Sequence, residues 1–135
     1  MTTNGTSPTG SGTAAGRLAV QNRSFEAAGI DAIHHDIGEA RRAGESEVAL
    51  LLEAQLADEL HHVRYANRWV KALVQSGGPR AAFDLVRAVS HADQAMRVVA
   101  GGAVVTFPVA EELRREAGFD DDEIRIVKEL TATRP

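Results

Sequence analysis

The chain has 135 residues, 44% of them hydrophobic, 25% charged and 4% aromatic, with a net charge of −4. That is the size and balance of one globular domain with an aliphatic core. The acidic balance argues against a nucleic-acid surface, and the absence of cysteine excludes disulfides, zinc–thiolate sites and iron–sulfur clusters, so any metal must be held by carboxylate and imidazole.

Met1 to Gly12 is rich in Gly, Ser, Thr and Pro, and reads as a flexible tail. It has neither the basic residues nor the apolar run of a secretory signal. From Thr13 to Pro135 the pattern is that of an all-α domain, without useful period-2 alternation. The first helical stretch carries apolar residues at Leu18, Val20, Phe25, Ile30, Ile33 and Ile37. Gly29 is expected to bend or interrupt it, and Gly44 to end it. Ser46 can cap the next helix, which runs to Ser76 before Gly77–Pro79 stops it. The stretch after Pro79 reads as one helix or two. Pro108 opens a short helix that Gly118 ends, and Asp120 to Asp122 cap a last one. The apolar run Val98–Val105 is too short to cross a membrane, so a soluble cytoplasmic protein is the default expectation.

The long helix carries the most informative feature. Leu52, Glu59, Ala66 and Leu73 recur at intervals of seven, with Leu56, Val63 and Val70 between them. This is an a/d seam, the pattern by which a helix enters a bundle. Glu59 lies inside it. A buried carboxylate without a partner costs several kcal/mol, against a total stability of about 5–15 kcal/mol for a domain. A lone seam glutamate ordinarily meets an arginine or water. His62 alters that reading, because Glu-x-x-His places a carboxylate and an imidazole on one helix face, the ligand pair of bundle-core dimetal sites. By itself the motif is common. Glu26 adds to it, being in register with Ile30, Ile33 and Ile37 on the preceding helix; its ordinary reading is a helix-end carboxylate beside Arg23.

The runs RLAVQNRSFEAAGID, DELHHVRYANRWVKAL and AEELRREAGF resemble the C-terminal half of a ferritin-like family, domain of unknown function four-five-five, over roughly Arg17 to Phe119. The resemblance implies a ferritin-like half-bundle with one long central helix. It implies Glu26, Glu59 and His62 as ligands of iron or manganese, in a di-iron type of centre, with Asp58 orienting a histidine. Ferritin-like bundles supply two lone glutamates and two Glu-x-x-His pairs. This chain has one Glu-x-x-His, and the tail stands where the other set is expected. The expectation is therefore a homodimer, or a partner chain that supplies the missing half, with no nucleic acid or membrane involved. The function expected is oxygen activation or iron oxidation. The rival is a non-catalytic helical interaction module that keeps the fold without a complete metal site.

The remaining candidates have plainer readings. His61 lies about 200° from Glu59 around the helix, on the surface. His34 and His35, with an Asp31–His34 pair as a substitute ligand set, fit a polar face better. His91 has no partner at ligand spacing. Tyr65 and Trp69 read as packing or interface anchors. Arg41, Arg42, Arg114 and Arg115 read as solvated, and no P-loop, dinucleotide fingerprint or nucleophile elbow occurs.

Overall fold

A computed structural model describes residues 25–99 and 106–132 of the chain. The tail, the helical start at Thr13, Leu18, Val20 and Arg23 lie outside the described residues. Among those described the protein is all-α: α1 (Ala27–Arg42), α2 (Ser46–Val99), α3 (Glu111–Glu116) and α4 (Asp121–Ala132).

Helix α1 continues through Gly29, contrary to the expected interruption. The cost of one glycine, ~1 kcal/mol, is outweighed by burial of Ala27, Ile30, Ile33 and Ile37 on one stripe. Fully burying each isoleucine contributes about 1.5–3 kcal/mol. The helix ends as the sequence suggests. Gly44 takes φ 79°, its N–H bonds the Arg41 carbonyl at 3.2 Å, and the Glu45 N–H bonds the Ala40 carbonyl at 2.9 Å. These two bonds form a Schellman stop. The short turn folds α2 back along α1, and Arg41 bonds Glu53 across the hairpin.

The seam of α2 is buried as its heptads require. Leu56, Val63, Ala66 and Val70 face inward, with Leu60 beside them. At Gly78 the helix breaks, with φ 64° and ψ −156°, and helical geometry resumes through Pro79 to Val99. The stretch after the break is one helix rather than two.

Helices α3 and α4 close the core. Ala117, Phe119 and Ile124 join Ala27, Ile30, Ile33, Ile37, Leu56, Leu60 and Val63 in one cluster, with Leu52, Val109 and Leu113 against it. Pro108 precedes α3 by an extended stretch instead of opening it, since the helix starts at Glu111. Gly118, at φ 91°, ends it with a second Schellman stop: its N–H reaches the Arg115 carbonyl at 2.9 Å, and the Phe119 N–H reaches the Arg114 carbonyl at 3.0 Å. Helix α4 begins at a reciprocal cap. The Glu123 N–H donates to Asp120 Oδ1 and the Asp120 N–H to Glu123 Oε2, each at 2.9 Å.

Candidate metal centre

Three side chains expected to meet do meet. Glu26, at the start of α1, faces Glu59 and His62 on α2, and one ligand atom from each lies within 4.8 Å of the other two. The hairpin explains the convergence. Both helices bury a regular apolar stripe against each other, and Glu26 and Glu59 each occupy a place on that stripe. The i, i+3 step from Glu59 then brings His62 to the same side.

Burial is graded across the cluster. Glu26 and Glu59 are half-buried and His62 is exposed. Glu59 Oε2 is shut off from solvent and has no hydrogen-bond partner among the described residues. A buried carboxylate oxygen without a donor is costly, and nothing in the surrounding apolar seam supplies one. Two carboxylates and an imidazole form a mixed oxygen–nitrogen set suited to iron, manganese or zinc. The residues present therefore fit a cation, which would use the orphaned oxygen of Glu59 and balance the charge of two adjacent carboxylates.

Beyond His62 the outer side of α2 exposes two aromatic side chains, each preceded by an arginine, Arg64 and Arg68. Tyr65 and Trp69 follow at i+3 and i+7, 56% and 47% exposed, with their rings edge-on at 6.2 Å between centroids. The exposed His62 thus borders two exposed aromatic rings.

The other expected residues fall as follows. Asp58 is exposed and has no hydrogen bond to a histidine among the described residues. His61, His34 and His91 are exposed. His35 is partly buried, 3.3 Å from Asp36, with its ring tilted against that of Phe107 at 5.1 Å between centroids. Arg41, Arg42 and Arg115 are exposed as expected.

Two readings need correction. Arg114 is not solvated. It is buried and forms a bidentate pair with Asp31, with Nη2 2.6 Å from Oδ2 and Nε 3.1 Å from Oδ1. Asp31 is therefore no substitute metal ligand beside His34: its Oδ1 also accepts the Ala110 N–H at 2.9 Å, so both its oxygens are committed. Asn67 carries a role that sequence reasoning missed. Buried in the seam, it donates from Nδ2 to the Ala117 carbonyl at 2.8 Å. The signal for both was positional. Arg114 shares a helix face with buried Ala110 and Ala117, and Asn67 falls between Val63 and Val70.

No helix among the described residues is long and apolar enough to cross a membrane. The family described as Protein of unknown function (DUF455) matches residues 8–125, a span that reaches back into the segment read as a tail. No curated protein and no solved structure matches the chain significantly.

Proposed function

Starting from the fact that the chain belongs to the family of proteins of unknown function DUF455, we propose that it is a ferritin-like metal-binding protein whose Glu26, Glu59 and His62 hold iron or manganese. One observation carries this reading: the three side chains converge from two helices, and a buried oxygen of the central one has no partner among the described residues. Glu59 would present that oxygen inside the seam, Glu26 would close the site from α1, and His62 would add a neutral nitrogen from the open side. A redox-active metal held there would supply the chemistry of ferrous oxidation or dioxygen activation.

Bundle dimetal sites use two lone glutamates and two Glu-x-x-His pairs. The described residues offer one of each. A two-fold dimer would double that set, because each copy presents the same surface to the other. Its support is the placement of Tyr65 and Trp69 beside the exposed His62. A different chain supplying the second set is the alternative partner, and a cytoplasmic location fits an iron or manganese protein of this kind.

The test is metal analysis of protein purified without chelator, joined to light scattering on metal-loaded and metal-stripped samples. About one iron or manganese per chain in a dimer is the expected result, and Glu59→Ala should abolish the metal. A monomer that binds no metal would favour the interaction-module reading, to which the exposed Phe83, Val86 and Val98 after the break in α2 lend support.

A further inference from the structure

The two helices that carry the candidate ligands are tied at their hairpin end by the turn at Gly44 and by Arg41 with Glu53. At the ligand end their polar connection runs through a third element. Arg114 Nη2 donates to the carbonyl of Ala27, the residue following Glu26, at 3.2 Å. Three residues along the same short helix, the Ala117 carbonyl accepts from Asn67 of α2 at 2.8 Å. Arg64 adds bonds to the Glu116 carbonyl at 2.9 Å and to its carboxylate at 3.0 Å, and Lys71 reaches the Gly118 carbonyl at 2.8 Å.

We infer that α3 and its terminal turn are a brace that sets the spacing between Glu26 and the Glu59–His62 pair, with Arg114 and Asn67 as its positioning residues. The importance of that spacing rests on the metal reading above.

The brace is suited to the task because it is itself held rigidly. Asp31 fixes both ends of its first turn, through the Ala110 N–H and the Arg114 guanidinium. The Phe119 ring lies 5.4 Å from the same guanidinium, and Ala117 is fully buried. The turn at Gly118 comes close to Asn67, where a Cβ on the glycine would sit 3.6 Å from the Asn67 Cβ. Apolar contact alone tolerates sliding and splaying of two helices by fractions of an ångström. Metal ligation does not, since ligand distances vary by only about 0.2 Å. Directional bonds to backbone carbonyls on each side of the site supply what the apolar seam lacks. Neither Arg114 nor Asn67 belongs to the ligand cluster.

The experiment has two readouts. The first is Co(II) titration of the full chain followed by d–d absorption. Arg114→Lys, which keeps the charge but loses the fork, and Asn67→Leu, which keeps the volume but loses the donor, should weaken Co(II) binding at least about tenfold. Val70→Ala removes core volume from α2 without removing any of these hydrogen bonds. It should lower the melting temperature comparably and leave Co(II) affinity at the wild-type value. The second readout needs no metal. The chain lacks cysteine, so spin labels at Ala28→Cys and His61→Cys, both exposed, report the helix spacing directly. Their distance distribution should broaden in Arg114→Lys and Asn67→Leu and stay narrow in Val70→Ala. Equal broadening in all three, or in none, overturns the brace. Wild-type protein that takes up no Co(II) while the brace variants still broaden would sink the metal reading and leave the brace standing.

Discussion

Arg114 and Asp31, 83 residues apart in the chain, form a bidentate ion pair whose side chains are 5% and 8% exposed. The aspartate oxygens are fully used by the guanidinium and the Ala110 N–H, so Asp31 has no spare lone pair for a metal.

That closure sets the cost of breaking it. Removing one member of a buried pair strands the other, at about 3–5 kcal/mol. Arg114→Met should lose stability on that scale in urea unfolding. The double variant Asp31→Leu with Arg114→Met should recover much of the loss, leaving mainly the orphaned Ala110 N–H, worth about 1–3 kcal/mol. A double variant as unstable as the single one would show that the pair does more than satisfy its own charges.

Glu59 is expected to behave in the opposite way. Its buried oxygen has no partner, so Glu59→Leu should give a metal-stripped protein at least as stable as the parent, by thermal melting, while abolishing metal uptake. A melting temperature several degrees lower would mean that the carboxylate is satisfied by means other than a cation.

His61 and His62 separate the two faces of one helix turn. Both are exposed, but His62 alone joins the ligand cluster. His62→Ala should weaken metal binding with little change in the melting temperature of the stripped protein. His61→Ala should leave both unchanged. Equal losses of metal would place the ligand face elsewhere.

Trp69 tests the assembly. Trp69→Glu puts a charge on the exposed aromatic stripe, and light scattering should then show monomer where the parent is dimeric. A dimer that survives this change uses a different surface.

The cap of α4 should give a pH signature. The Glu123 N–H bond, chief among its causes, holds the Asp120 carboxyl below its ordinary value. The folded state therefore releases this proton more readily than the unfolded chain. The stabilisation is present above the unfolded value and is lost as pH falls through the folded one. Asp120→Ala should cost about 1 kcal/mol at neutral pH, and the difference from the parent should shrink in acid. A difference that grows in acid would contradict this sign.

The sequence displayed the clustered Glu26, Glu59 and His62 more clearly than the scaffold around them. Glu59 interrupts a seven-residue repeat and Glu26 interrupts an apolar stripe, so each is visible as a local violation of a period. The stops at Gly44, Gly77–Pro79 and Gly118 are equally local, because left-handed glycines and prolines act on their own neighbours. Arg114 is different. An Arg–Arg step in a short amphipathic helix resembles a solvated face, and its partner is far away in the chain. Only the fold brings Asp31 within reach, and the one local cue, the face Arg114 shares with Ala110 and Ala117, does not point to a partner. Asn67 was hidden for a similar reason: its acceptor is a backbone carbonyl, which every residue has.

The break at Gly78 resets the phase of the chain. Up to that point each residue's direction is tied to Glu59 by the helical period. Beyond it the count starts anew from Pro79. An inserted or deleted residue at the elbow would re-aim Phe83, Val86 and Val98 together while Glu59, His62 and Asn67 kept their directions. The long helix is thus two reading frames joined end to end. The distal one can change what it presents to the outside without moving Glu26, Glu59 or His62. Gly77 limits how that freedom is used: a Cβ there would fall 2.6 Å from that of Ala81, so any side chain at this position would have to displace its neighbour.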